Sequence, residues 1–316
     1  MEVPATRAGE LLVRTLYSGI SPGTEMLAYR GELDPDLRLD ESFSSLQGRF
    51  EFPFSFGYSC VGVVEESRAE IPVGTLVFAF HPHQEWFVTP AAEVEVMDGV
   101  DPRTATLFPL VETGLQIALD AGDVFGQTVI VAGLGPVGVL TCGILAMRGA
   151  SILGADPLPW RRSAAESFGA TVLAPEDLAA HVGSQRGRDG ASVAIEASGN
   201  PEVLPQLLPL LAHEGVALVA SWYGTKTVSL DLGREFHRRR LEIRSSQVST
   251  IPARLSARWS LPKRRAEARR LLDILPVKRL ATHEFDVSDA ASAYYAIDNV
   301  VPGSMHVAFR YGDRHA

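Results

Sequence analysis

Gly133-Leu-Gly135-Pro136-Val137-Gly138 follows directly on the apolar run at 129–132, which begins with β-branched residues, and opens an apolar helical segment over 137–147. That placement, a glycine triplet between a strand and a helix, is the arrangement that holds a dinucleotide pyrophosphate. The first glycine permits the tight turn, the second lets the backbone approach the phosphates, and the third allows close helix–strand packing. The N-terminus of the helix adds a partial positive charge. Asp156 closes the next expected strand, 18 residues past Gly138, where a carboxylate accepts hydrogen bonds from an adenosine ribose. Asp156 favours NAD, because a carboxylate repels the 2′-phosphate of NADP. Arg161 and Arg162 stand five and six residues on and could bind that phosphate instead, or lie exposed on a helix. A glycine turn without a ligand is the alternative reading, and the flanking strand and helix argue against it.

The elements that must position such a site can be read along the 316 residues. At about 150 residues per domain, that length suggests two domains. Residues 1–108 read as short strands punctuated by Gly and Pro, at 10–16, 60–65, 75–79 and 86–89, which suggests an all-β, barrel-like module. From about residue 113, strands at 128–131, 152–154, 193–195 and 216–220 alternate with helices, the pattern of a parallel sheet covered on both faces. The tail returns to strand (283–287), helix (289–297) and strand (306–311). The fold class is therefore α/β: a β-barrel module plus a doubly wound parallel sheet. A basic helical segment at 262–274 (Lys263, Arg264, Arg265, Arg269, Arg270) reads as a solvated face rather than a binding patch.

Composition removes several function classes. With 29 Lys+Arg against 38 Asp+Glu, the net charge is −9, which argues against a nucleic-acid partner needing a basic stripe. The two cysteines, Cys60 and Cys142, exclude a disulfide scaffold and a four-cysteine structural zinc site. Glu2, Arg7, Glu10 and Arg14 break up any apolar signal-peptide core. The stretch 124–147 carries no charge and is long enough to span a bilayer. Its glycines, Pro136 and the β-branched run make it read instead as a buried strand, a turn and a helix. The expected protein is cytoplasmic, with no membrane partner.

A family resemblance rests on these residues together. The order is a β-rich half, then Gly133-Leu-Gly135-Pro-Val-Gly138, then Glu196-Ala-Ser198-Gly199, then a return to the first domain. This resembles the medium-chain dehydrogenase/reductases, the alcohol dehydrogenase and quinone reductase superfamily, over nearly the whole chain. Tyr17-Ser-Gly-Ile-Ser-Pro-Gly-Thr-Glu25, Gly57-Tyr-Ser-Cys-Val-Gly62, Thr113-Gly114 and His283-Glu-Phe285 add to it. The Gly23-Thr24-Glu25 variant resembles a zinc-lacking branch that includes bacteriochlorophyllide hydroxyethyl dehydrogenase. The resemblance implies a GroES-like first module (1–112), a Rossmann domain (113–247) and a return to the first (248–316). It further implies a substrate cleft between the two and a homodimer through sheet edges. It also implies that residues normally precede a segment like Glu2-Val-Pro4, so that either the start is misplaced or an initial hairpin is missing.

The zinc ligands of the family are missing here. Its catalytic cysteine falls on Ser21 without a gap or on Pro22 with one insertion, its Gly-His-Glu reads Gly57-Tyr58-Ser59, and its third ligand falls near Pro109. Tetrahedral catalytic zinc takes three protein ligands, so no metal is expected, with Cys60, His81 and His83 the one unrelated set to consider. Hydride chemistry then relies on the cofactor, on positioning and on hydrogen-bond donors at the substrate oxygen.

Tyr58, at the lost histidine position, is the first candidate donor or proton relay; filling the metal's space is the alternative. Glu25 and Thr24 are expected near it, as base, orienter or loop support. His81, or His83 beside it, titrates in the useful range unless it is merely a surface group. Thr113 matches the family position beside the nicotinamide. Ser198, with Trp222 and Tyr223 of Ser221-Trp-Tyr223, and Ser246 and Gln247 should lie at the carboxyl ends of sheet strands, close to the cofactor. The expected function is zinc-independent hydride transfer between NAD, with NADP as the alternative, and a secondary alcohol or ketone. A metal-free enoyl or quinone reductase and a non-catalytic dinucleotide sensor are the alternatives.

Overall fold

In the computed structural model, residues 5–39, 45–184 and 190–312 are described; the Glu2-Val-Pro4 segment lies outside them. The chain divides into two compact units, Met1–Pro109 with Val277–Ala316, and Leu110–Pro276.

In the first unit, β1 (Glu10–Ile20), α1 (Thr24–Tyr29), β2 (Cys60–Ser67), β3 (Leu76–Ala79), β4 (Trp86–Pro90) and β5 (Val94–Val96) precede the short helix α2 (Pro102–Ala105). Side chains along β1 alternate between buried and half-buried, as a strand with one covered face requires. Its inward residues Leu11 and Val13 meet Cys60, Val64, Val77, Ala79 and Phe87 in one apolar cluster.

The chain then enters the second unit through α3 (Phe108–Asp120). There follow β6 (Thr128–Ala132), α4 (Pro136–Met147), β7 (Ser151–Ala155), α5 (Pro159–Glu166), β8 (Thr171–Leu173), α6 (Pro175–Ser184), β9 (Ala191–Glu196), α7 (Val203–Leu207), β10 (Leu211–Val219), β11 (Glu242–Ser245) and α8 (Leu261–Ile274). The six strands form one sheet in the order β11-β10-β9-β6-β7-β8, with every pair parallel. This is the doubly wound order, reversing direction at β6. All five residues of β6 are buried, and α4 is buried on nearly every side. The charge-free run at 124–147 is therefore a buried strand, turn and helix at the centre of this sheet layer. No helix among the described residues is long and apolar enough to cross a membrane.

The tail re-enters the first unit with β12 (Ala281–Asp286), α9 (Ala290–Asp298) and β13 (His306–Arg310). The first sheet runs β12-β13-β1-β2-β3-β5, with β4 also on β1. Only the β12–β13 pair in it is parallel.

Two expectations change here. The return to the first unit comes at Val277, not at 248. The cause lies in the basic segment, which is not wholly solvated: Arg264 on α8 is 2% exposed. Its guanidinium bonds Glu112 Oε1 at 3.0 and 3.1 Å and Gln116 Oε1 at 2.6 Å, both on α3. Ser246 and Arg254 likewise bond the carboxylate of Asp120 at the end of α3. These pairs hold 248–276 within the second unit.

Candidate active site

The turn after β6 has the geometry its glycines imply. Gly133 has φ +92°, and a Cβ on it would stand 2.5 Å from the Ser198 backbone, where β6 and β9 diverge. A Cβ on Gly138 would stand 1.9 Å from the Gly133 carbonyl oxygen, whereas nothing lies within 4 Å of one on Gly135. The turn is thus closed on the sheet side and open over its second glycine. Pro136 is the first residue of α4, and Val137 and Gly138 follow with N–H groups that a helix start leaves without intrahelical partners. This lies at the carboxyl end of β6, where the strand order reverses and α/β sheets bind their ligands.

Asp156 is placed beside this turn but is already engaged. It is 2% exposed, and its carboxylate accepts from Leu134 N–H at 2.8 Å and from Leu158 N–H at 2.9 Å. Arg161 Nη1 lies 3.6 Å from the same carboxylate, its Nε is buried without a hydrogen-bond partner, and Arg162 donates to the Asp156 carbonyl. The acid expected for the ribose is therefore also the brace of the glycine turn, and Arg161 is its ion-pair partner rather than an exposed helix residue.

At the end of β9, Glu196 is fully buried. Its carboxylate accepts from Ser198 N–H at 2.7 Å and from the Ser198 hydroxyl at 2.5 Å. It also accepts from the Tyr223 hydroxyl at 2.7 Å, and burial and this carboxylate both push the Tyr223 phenol up. Ser221 Oγ accepts from Gly199 N–H. Ser198 and Tyr223 thus gather at the carboxyl ends of β9 and β10, as expected, while Trp222 between them is 45% exposed. Thr113, on α3, is half-buried. Ser246 and Gln247 are occupied locally, Ser246 on Asp120 and Gln247 with Ser249.

In the first unit the structure brings Tyr58, Thr24 and Glu25 together. Glu25, in the first turn of α1, is 3% exposed and accepts from Ser21 N–H at 2.8 Å. Burial pushes the Tyr58 phenol up to about 12, with hydrogen bonds from Ser21 and Thr24 opposing and the Glu25 charge adding. The histidine of this cluster is His83, not His81. His83 Nε2 lies 2.8 Å from Glu25 Oε2 and its Nδ1 lies 2.7 Å from Ser18 Oγ. Its ring packs on Gly57, whose φ is +110° and where a Cβ would stand 2.6 Å from the imidazole. His81 instead stacks on Phe87 at 4.4 Å, bonds Gln84 and Pro82, and is held below its ordinary value by burial. Ser18, Tyr294 and Tyr311 also belong to the cluster. They come from both ends of the chain, and only Ser18 sits in a motif that could have marked it.

Residues 136–261 match the family of zinc-binding dehydrogenases; this span lies in the second unit and leaves Ser21, Tyr58 and Pro109 outside it. The chain is 26% identical over 279 residues to D-guloside 3-dehydrogenase of Escherichia coli K12, covering 81% of this chain and 79% of that one. It is also 26% identical over 313 residues to 2-desacetyl-2-hydroxyethyl bacteriochlorophyllide A dehydrogenase of Cereibacter sphaeroides, covering 90% and 86%. The chain is a relative of the medium-chain dehydrogenases. Their fold recurs in a solved alcohol dehydrogenase of Escherichia coli CFT073 complexed with NADH, at a TM-score of 0.76 and 18% identity over 98% of this chain and 94% of that one. A stretch of 169 residues is also 28% identical to L-galactonate-5-dehydrogenase of Escherichia coli K12, covering 52% of this chain and 49% of that one.

Proposed function

We infer that this medium-chain dehydrogenase relative is a nicotinamide-dependent oxidoreductase that interconverts a secondary alcohol and a ketone without zinc. The observation that carries the reading is the donor set at the family's metal position. There stand Ser21, Pro22, Tyr58 and Pro109, backed by Glu25 and His83 rather than by a cysteine and two further ligands. These groups do not suit zinc. The Tyr58 phenol, held near 12 by burial, stays protonated, and the buried Cys60 thiol, also pushed up, points to the His81 and Pro82 carbonyls. Zinc binds thiolates, imidazoles and carboxylates in sets of three or four, and no group of three or more His, Cys, Asp or Glu that could hold a metal occurs among the described residues.

A protonated phenol in the same place is suited to another task. Tyr58 can donate a hydrogen bond to a substrate oxygen as negative charge develops there, which is the role the Lewis acid would otherwise take. Thr24 and Ser21 orient that hydroxyl. Nicotinamide, when bound, supplies the hydride donor or acceptor. For its dinucleotide, the residues present fit. Gly133, Gly135 and Gly138 leave an open turn at the start of α4, where Pro136 and Val137 begin a helix whose N-terminus favours phosphate. Ser198 and Thr113, with Trp222, Ser246 and Gln247 in the loops after β10 and β11, complete the proposed cofactor set. Asp156 supports NAD, and Arg161 beside it offers the route to NADP. The reading includes a cytoplasmic homodimer joined through sheet edges of the second unit.

The test is a screen of purified protein with NAD(H) and NADP(H) against alcohols, ketones, enones and quinones, followed by nicotinamide absorbance. Turnover with an alcohol–ketone pair in protein carrying substoichiometric zinc is the expected result. Turnover confined to enones or quinones would move the reading to a C=C or quinone reductase, tight binding without turnover to a sensor, and one zinc per chain would end the metal-free mechanism.

A further inference from the structure

Aromatic residues hold every second position from 50 to 58. Phe50, Phe52, Phe54, Phe56 and Tyr58 alternate with Glu51, Pro53, Ser55 and Gly57. In an extended stretch every second side chain falls on the same side, so this spacing gives one aromatic side and one small or polar side. The rings do meet. Phe52 and Phe54 lie 4.8 Å apart between centroids, Phe54 and Phe56 6.2 Å, and Phe56 and Tyr58 6.4 Å. Buried Phe50 supports them, 5.6 Å from Phe54 and 5.1 Å from Phe56. The row ends on Tyr58, the phenol proposed above to meet the substrate oxygen.

The row is anchored to the core and still open to solvent. Phe50 belongs to a buried cluster with Leu27, Leu33 and Leu46, and Phe54, Phe56 and Tyr58 pack against that cluster. The backbone is held at both ends, where Phe50 N–H donates to the Leu37 carbonyl and His83 N–H donates to the Phe56 carbonyl, each at 3.1 Å. Phe54 and Phe56 are only half-buried, and Phe52, at the outer end, is 67% exposed. Single exposed apolar side chains are ordinary, but neighbouring ones that form a surface mark a place where something binds. Here that surface runs ring by ring from solvent to the candidate donor.

The chemistry of the row selects what can lie on it. From Phe52 to Phe56 its rings neither donate nor accept a conventional hydrogen bond, so the hydroxyls of a polyol laid along it would lose water partners without replacement. An aryl group loses none. Successive rings stand at steep angles, 88° for Phe50 and Phe54, 76° for Phe54 and Phe56 and 76° for Phe56 and Tyr58. Such a row sets ring edges beside ring faces, and a further aromatic ring gains from edge-to-face or offset contact beyond the area it buries.

We propose that the non-reacting part of the substrate is a bulky aromatic group that lies along Phe52, Phe54 and Phe56 while the carbinol or carbonyl oxygen meets Tyr58. This rests on the oxidoreductase reading above and adds the substrate class to it. Binding energy from such a remote group holds the reacting carbon in one pose, which hydride transfer requires. The three phenylalanines are thus specificity-determining residues, and Tyr58 remains the group at the reacting oxygen.

The experiment compares kcat/KM at saturating cofactor for 1-(2-naphthyl)ethanol, its fully hydrogenated decalyl counterpart and 2-butanol. The proteins are the wild type, Phe52→Ala, Phe54→Leu and Phe125→Ala. Binding of the naphthyl alcohol in the presence of NADH is measured in parallel by equilibrium dialysis. The wild type is expected to favour the naphthyl alcohol over 2-butanol about 10²-fold and over the decalyl one about fivefold. Phe52→Ala, at an exposed position, should cut the naphthyl-to-decalyl ratio about threefold. Phe54→Leu, which keeps apolar volume and removes the ring, should all but abolish that preference. Phe125→Ala removes an exposed ring of the second unit and should leave the ratio where it is. Turnover that favours 2-butanol or the decalyl alcohol, or a ratio that neither row variant moves, overturns the aromatic class and leaves the oxidoreductase reading standing. A wild type that turns over no alcohol overturns that reading. In that event naphthyl binding weakened by both row variants keeps the row as an aromatic-binding surface, and binding that is absent or unchanged overturns the row as well.

Discussion

Replacing Asp156 by Ala tests whether one buried carboxylate both holds the dinucleotide turn and sets cofactor choice. In the folded chain the carboxylate accepts from Leu134 N–H at 2.8 Å and Leu158 N–H at 2.9 Å. Hydrogen bonds to an ionised group are each worth about 1.5–3 kcal/mol. Leu134 is wholly buried, so its N–H would lose its partner with no water to replace it. Leu158 is half-buried and recovers part of its loss by hydration. The expected destabilisation is about 3 kcal/mol, which for a unit of this size lowers Tm by roughly 6–12 °C. The same change frees Arg161, whose Nη1 now sits 3.6 Å from the carboxylate, and removes a negative charge from the region a 2′-phosphate would enter. The ratio of NADPH to NADH affinity should rise about tenfold, equivalent to about 1.4 kcal/mol. Asp156→Asn separates the effects: it removes the charge but turns an amide N–H toward one of the two backbone N–H groups, so it also loses stability. Differential scanning fluorimetry without nucleotide and fluorescence titration with each reduced cofactor read both quantities. If Asp156→Ala melts within about 2 °C of the wild type and the affinity ratio does not move, the brace and the selectivity argument both fail.

Three other expectations follow from the same geometry. Tyr58→Phe should lower kcat about 10²-fold while leaving cofactor affinity unchanged; steady-state kinetics that match the wild type would return Tyr58 to a packing role. Arg264→Ala should destabilise the second unit by about 3–5 kcal/mol, because it strands buried Glu112, whereas Arg264→Met with Glu112→Gln should cost much less; chemical denaturation would compare them. Burial, with a smaller push from Arg103, drops His306 from its ordinary 6.5 to about 3. Between those values the unfolded chain binds the proton and the folded chain does not. The stability this ring contributes is therefore present above about pH 6.5 and lost as pH falls, by about 2 kcal/mol at pH 5. Urea midpoints against pH should show that slope in the wild type and a shallower one in His306→Asn; equal slopes would refute it.

What the sequence makes legible here is what the backbone itself demands. Only glycine fits where a Cβ would meet a backbone atom 1.9–2.5 Å away, as at Gly133 and Gly138, so the dinucleotide turn carries its signature in its own residues. The charge-free run at 124–147 is legible for a related reason: a β-branched strand, a turn and a helix buried on almost every side leave no room for a charge. The choice between two equivalent-looking side chains is different. His81 and His83 stand two residues apart in one loop, and nothing local ranks them. Ser18 and Glu25, 65 and 58 positions away, give His83 its partners, while Phe87 and Gln84 take His81 out of the site. Arg264 repeats the point, because the partner that buries it lies 152 positions earlier and composition averages it with exposed Lys263 and Arg270. Asp156 falls between the two cases. Its position after β7 is legible, but its use as a brace depends on Leu134, 22 residues back, on the turn that the glycines create. An acid placed to receive a ribose is also placed to receive the amides of the loop beneath it. In the proposed reading one carboxylate serves both, and the turn it braces is rigid before its ligand arrives.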